Sequence, residues 1–336
     1  MSGRWGAQQL TGKGAAPVIR PFQDFLIKVI MSYDSANEAK SNFDSVYTEP
    51  TPHAYIASMA KNGYEIGEQA RPYCTAAAGI LREHNGDTWP VQMLDVGCSY
   101  GIGSAFVKYG CSFDEMVAFF SSRAPRPYHA ACEAMRMWLN LAPPVCDVRA
   151  VGLDSSKPAI DFAMDAGVLD GGIARDFEQS GVVPTEEESA WFRSCNLLIS
   201  TGAIGYVTER TLEVVLRHLG KDYPGNFGPF AVVTILRMFD YSPIEAAFEA
   251  HGFTFGAVPG VRLPQRRFTN REERQKVLSL LHDRNVDTRE WEDRGKHHAD
   301  LFIAAPPDQF SSLLEGMEKT RLVRDSEPEG VGYLCR

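Results

Sequence analysis

From about Pro17 to Ala78 the apolar positions recur every three or four residues, through PFQDFLIKVIMSY, PHAYIASMAKNGY and IGEQARPYCTAAAGILREH. That period marks one face of a helix, and Pro50, Pro52, Gly63 and Pro72 punctuate it. The spacing predicts a helical N-terminal segment over residues 1–85, acting as a lid on the rest of the chain. Beyond it the pattern changes to short apolar runs alternating with amphipathic stretches, the signature of a parallel α/β sheet. VQMLDVG (91–97), VRAVGLD (148–154), GGIARDF (171–177), CNLLIST (195–201) and PFAVVTIL (229–236) read as five strands. Helices are expected at 102–109, at KPAIDFAMDAG (157–167) and at TERTLEVVLRHLG (208–220). After a further helix in SPIEAAFEAHG, the runs FTFGAVPG (253–260) and HADLFIAA (298–305) complete a seven-stranded, mostly parallel, Rossmann-like sheet. A final pair of this kind suits an antiparallel edge strand, with helices on both faces of the sheet.

About forty residues, 110–147, separate the first helix from the second strand, too many for a structureless loop. Their content, DEMVAFFSSR and PYHAACEAMRMWLNL, predicts helices instead, a small insertion capping the acceptor side of the sheet. The catalytic domain then spans 86–306, and 307–336 reads as a tail with one short helix.

Composition narrows the function. The 336 residues are 44% hydrophobic and 23% charged, enough for a sizeable core. A net charge of −9 disfavours a nucleic-acid partner, which needs a basic face. No run approaches the ~18–20 apolar residues that span a bilayer, so no membrane role is expected. The opening MSGRWGAQQLTGKGAAP has no apolar secretory core. Seven scattered cysteines, none in a CxxC pair, fit a reducing cytoplasm and no metal site.

The chemistry concentrates in Leu94-Asp95-Val96-Gly97-Cys98-Ser99-Tyr100-Gly101-Ile102-Gly103. A strand that ends on an acid and turns through glycines lets backbone approach a ligand closely. The spacing Gly97-x-x-x-Gly101-x-Gly103 is not the GxGxxG dinucleotide fingerprint, and no P-loop occurs. A second acid, Asp154, ends the next strand, where a carboxylate suits a cis-diol through two accepted hydrogen bonds.

This segment resembles the nucleotide loop of class I S-adenosylmethionine-dependent methyltransferases, an acidic residue followed by x-Gly-x-Gly-x-Gly. Asp95, Gly97 and Gly101 match, and Ser99 stands where the middle glycine is usual. The resemblance covers residues 90–305 and implies S-adenosylmethionine as cofactor. It implies that the loop residues Asp95, Gly97, Cys98, Ser99, Tyr100 and Gly101 bind it. Asp154 would hold the ribose, with Ser155 beginning the next helix, and Asp176 the adenine amino group, with Phe177 stacked on the ring. Ser200, Thr201 and Gly202 would line the sulfonium and the acceptor. The interval from Gly101 to Asp154 exceeds the usual ~20 residues, and the insertion accounts for it.

Several residues keep two readings. Asp154 also suits a helix N-cap, and Cys98 a small buried thiol. Tyr47 and Tyr55 offer hydroxyls to a methionine carboxylate or simply pack. Arg266 and Arg267 suit a carboxylate-bearing acceptor, or a solvated basic turn. Met135, Trp138 and Asn140 are lid or core. His297 and His298 are adjacent, so on a strand they face opposite ways and cannot share a metal. Tyr206, Glu209 and His298 are the candidate general bases.

The expectation is a methyltransferase acting on a small-molecule acceptor by in-line transfer, as a monomer or homodimer in the cytoplasm. Two alternatives stand beside it. One is a lyase closing the aminopropyl group into azetidine-2-carboxylate and releasing methylthioadenosine; the other is a non-catalytic binding subunit of the same fold.

Overall fold

The computed structural model describes Tyr33 and residues 36–40, 44–86, 90–121, 126–141 and 144–326. The expected lead-in before Tyr33 and the end of the tail after Ser326 lie outside these residues. Helices α1 (Asp44–Tyr47), α2 (His53–Asn62) and α3 (Ile66–Asn85) precede β1 (Val91–Val96). There follow α4 (Ile102–Tyr109), α5 (Phe113–Ser121), α6 (Tyr128–Leu139), β2 (Val148–Asp154), α7 (Lys157–Asp165) and β3 (Gly171–Ala174). Then come α8 (Glu186–Ser194), β4 (Leu197–Ser200), α9 (Glu209–Leu216), β5 (Phe230–Leu236) and α10 (Ser242–Ala250). The chain closes with β6 (Thr254–Arg267), α11 (Arg271–Asp283), β7 (Lys296–Ala305) and α12 (Phe310–Ser326).

The strands form one sheet in the order β3-β2-β1-β4-β5-β7-β6. Strands β1 to β5 pair in parallel, for example Asp95 beside Gly152 and Ile199. Strand β7 runs antiparallel to both β5 and β6, so the antiparallel element sits one place in from the edge and β6 is outermost. The strand order reverses at β1, whose neighbours β2 and β4 diverge in sequence, and a crevice opens there beyond the carboxyl ends. All seven residues of β5 and all four of β4 are buried, because helices cover both faces.

Three boundaries differ from expectation. Strand β6 does not stop at 260 but continues to Arg267 through two register irregularities, so Pro264–Arg267 is strand rather than turn. Its edge position tolerates Pro264. Helix α3 is a layer of the fold rather than lid, with Ala70, Ala77 and Ala78 fully buried. Helix α12 packs back on α3, β6 and β7, with Leu313 and Met317 fully buried, so the segment after 306 includes a core helix.

The insertion is helical, as its composition requires. Its helix α5 packs on α2, and α6 on α7, with Phe119 stacked on Trp138. Asn140 caps the end of α6, and Met135 is core.

Candidate active site

The crevice holds a cavity of about 350 Å³, toward the small end of ligand pockets, which run about 300–1,000 Å³. Its floor is the turn after β1. Gly97 adopts φ +75°, and an added Cβ would stand 2.2 Å from that of Ala203, so only glycine lets the two loops meet. Ser99 also takes a left-handed conformation, φ 50°. Its amide donates to Asp154 Oδ2 at 2.8 Å, and its buried hydroxyl finds no partner among the described residues.

Asp154 sits where β2 gives way to α7. Its Oδ1 accepts from the Ser156 amide at 2.8 Å, while the Ser156 hydroxyl accepts from Ala159 as the helix cap. Asp154 therefore has a structural duty, yet each carboxylate oxygen keeps a lone pair toward the cavity it lines. Burial raises its pKa, opposed by the amides of Ser156, Ser99 and Ser155. Asp95 is more deeply enclosed, and burial pushes it up to about 6 against two hydrogen bonds from Ser104.

The roof is tyrosine. Tyr47, Tyr55 and Tyr64 come from α1, α2 and the turn after it, and Tyr206 closes the side beyond β4. Desolvation raises the first three phenols, which stay neutral. The lid is strapped to the floor. Tyr100 donates to the carbonyls of Val46 and Glu49, at 3.2 and 2.7 Å, and Ser156 Oγ donates to that of Tyr47 at 2.5 Å.

At the far wall lie Lys40, Gln265 and Arg266. Arg266 is buried and forks onto Glu273 at 2.7 and 3.2 Å, so its charge is compensated inside the protein. Arg267 donates instead to the Lys61 carbonyl. Neither guanidinium is poised for an acceptor carboxylate.

Of the expected residues, the cavity wall gathers Asp95, Gly97, Cys98, Ser99, Asp154, Ser155, Asp176, Phe177, Thr201, Gly202 and Tyr206. Others stand behind it. Tyr100 serves the lid, Gly101 begins α4, and Ser200 Oγ donates to the Val96 carbonyl at 3.0 Å. Glu209 opens α9 outside the wall, with one buried oxygen unpartnered. His298 lies on β7 beside Trp291, and burial lowers it to about 4; it has no access to the cavity. Burial likewise raises the Cys98 thiol well above its ordinary value, which suits packing rather than reactivity. No described residue of 110–147 lines the cavity, so the insertion is not its cap.

Sequence reasoning missed Lys40, Thr48, Met59, Tyr64, Glu178 and Gln265 as wall residues. Glu178 had a signal in the run Asp176-Phe177-Glu178. It accepts from the Thr208 amide and hydroxyl and from Thr211, anchoring the loop that bears Tyr206. Among the described residues no three His, Cys, Asp or Glu could hold a metal, and no helix is long and apolar enough to cross a membrane.

No family model matches the chain, and no curated protein matches it. Solved structures do, at low identity. The plantazolicin methyltransferase BpumL, in complex with a monoazolic desmethylPZN analog and SAH, is 14% identical with a TM-score of 0.40, covering 84% of this chain and 99% of its own. A SAM-dependent methyltransferase from Geobacter sulfurreducens, in complex with S-adenosyl-L-homocysteine, is 14% identical with a TM-score of 0.31, covering 72% and 96%. A TehB-like SAM-dependent methyltransferase from Corynebacterium glutamicum is 13% identical with a TM-score of 0.31, covering 67% and 86%. It is the chain's own sheet order, the glycine turn after β1 and the acidic end of β2 that give it the Rossmann-like fold of the class I S-adenosylmethionine-dependent methyltransferases.

Proposed function

We propose that the protein is an S-adenosylmethionine-dependent enzyme that transfers the methyl group to a small-molecule acceptor. The observation behind this reading is the pair of buried carboxylates, Asp95 and Asp154, flanking the unpartnered Ser99 hydroxyl at the crevice floor. Those groups match a ligand bearing a ribose diol and a cationic amino-acid end. Asp154 would accept from the diol, and Asp95 would face the ammonium. Asp176 and Phe177 would take the adenine. The cofactor, once bound, supplies an electrophilic carbon on a sulfonium. The protein's share is to align a nucleophile with that carbon and exclude water, and such positioning can supply about 7–11 kcal/mol. The tyrosine roof suits a cation, because ring faces attract positive charge.

One observation favours the lyase as a second reading. The cavity is small and walled by Tyr47, Tyr55, Tyr64, Tyr206 and Phe177, leaving limited room beside the cofactor. Cyclisation needs no second substrate.

Chromatography of the nucleoside products separates the two. Protein and S-adenosylmethionine alone should yield no product above background, and a cell extract should make S-adenosylhomocysteine accumulate. Rapid methylthioadenosine in the acceptor-free tube would replace methyl transfer by cyclisation. No product in either tube would leave a binding subunit.

A further inference from the structure

Lys40 lies at the cavity's far wall, opposite the acidic floor. Its Nζ stands 4.3 Å from the Tyr206 ring centre and 5.1 Å from that of Phe239. The segment bearing it is pinned to the same loop, since Asn37 Nδ2 donates to the Gly205 carbonyl and Tyr33 donates to that of Asp240. Charged and titratable groups face Lys40 from several elements: Arg266 on β6, Glu273 on α11, His297 on β7 and Tyr206 beyond β4.

Glu273 is the only acid in this set, and its oxygens are occupied. They accept from Arg266 twice, from the amide and hydroxyl of Thr269, and lie 3.4 Å from His297. Among the described residues no carboxylate forms an ion pair with Lys40. A half-buried ammonium without a counter-ion, beside an arginine, is disfavoured against the neutral amine.

Resting on the reading that the cavity takes S-adenosylmethionine, we infer that Lys40 is the general base of the reaction and that the nucleophile is an amine arriving as its ammonium form. The aromatic wall supports the substrate class, because Lys40 itself already rests an ammonium-type group on Tyr206. A cationic nucleophile can rest on the same kind of surface. Neutral Lys40 Nζ takes one proton from R–NH3+, giving R–NH2 and a charged Lys40. The freed lone pair forms the new C–N bond as the C–S bond breaks, and that bond's electron pair goes to sulfur. Lys40 then returns its proton to solvent. Burial and the Arg266 charge lower Lys40 to about 7, which fits this duty.

The amine is either that of a second substrate or the cofactor's own. Three tubes distinguish them: S-adenosylmethionine alone, with a small-molecule ultrafiltrate of cell extract, and with the same ultrafiltrate after its amines are acetylated. S-adenosylhomocysteine in the second tube only indicates a separate amine, and methylthioadenosine in all three indicates the cofactor's own. Equal S-adenosylhomocysteine with and without acetylation overturns the amine assignment.

Lys40 is tested on the native full chain by trace acetylation across pH, read by peptide mass spectrometry. The expected midpoint is about 7, with protection by S-adenosylhomocysteine. A midpoint near 10, as for a free lysine, overturns the role. Lys40→Met should bind S-adenosylhomocysteine within about threefold of native, yet consume S-adenosylmethionine at least ~100-fold more slowly. Unaltered turnover in that variant, with native binding intact, removes Lys40 alone. Absence of S-adenosylhomocysteine binding by the native protein removes the cofactor reading and this inference together.

Discussion

The Ser99 amide donates to Asp154 Oδ2 at 2.8 Å, tying the turn after β1 to the end of β2 across 55 positions. The bond holds Ser99 at φ 50°, a region that costs a non-glycine residue about 1 kcal/mol or more. Ser99→Gly should therefore raise the melting temperature of the free protein by about 2–4 °C per kcal/mol relieved. It should also weaken S-adenosylhomocysteine binding, because the unpartnered hydroxyl is lost. A fall in melting temperature would show that the turn is not strained.

Asp95 should make the free protein respond to pH in a definite direction. Burial raises its folded pKa to about 6, above the ~3.9 of an unfolded aspartate. The fold thus favours the acid form, and Asp95's contribution is full below ~4 and lost as pH rises through about 6. Asp95→Asn keeps an acceptor for Ser104 and removes the charge. Its melting temperature should exceed the native one at pH 7, and the gap should close toward pH 4. A gap that widens in acid would contradict the assignment.

The strapped lid makes a regional prediction. Bound S-adenosylhomocysteine should slow amide exchange in 44–64 and 94–104 and leave 110–147 unchanged. Tyr100→Phe deletes the donor to Val46 and Glu49. It should speed exchange in 44–64 of the free protein by tenfold or more. Protection of 110–147 by ligand would restore the insertion as a cap.

The parts of this site legible in the sequence are those fixed by local chemistry. An apolar strand, an acid and a glycine turn mark the floor, because residues 91–103 are contiguous; Asp154 follows from the same logic one strand later. The limits of β6 were not legible, since Arg262, Pro264 and Arg267 break the apolar pattern of a strand. They are tolerated on an edge where Arg262 pairs with Asp300 across β7. Lys40 and Tyr64 gave no signal either. Their place depends on how the lid folds onto a crevice built from residues far away in sequence. His298 misled for a related reason: its strand lies beside β6, away from the reversal point at β1.

The central claim is that the crevice over Asp95, Ser99 and Asp154 binds S-adenosylmethionine, and titration calorimetry with S-adenosylhomocysteine tests it most directly. Asp154→Ala removes charge-assisted hydrogen bonds worth about 1.5–3 kcal/mol each. It also frees the Ser99 and Ser156 amides, so the free variant should melt a few degrees lower while staying folded. The native protein should bind one equivalent, and the folded variant should bind at least tenfold more weakly. No heat of binding from the native protein, or equal affinity in the variant, would contradict the claim.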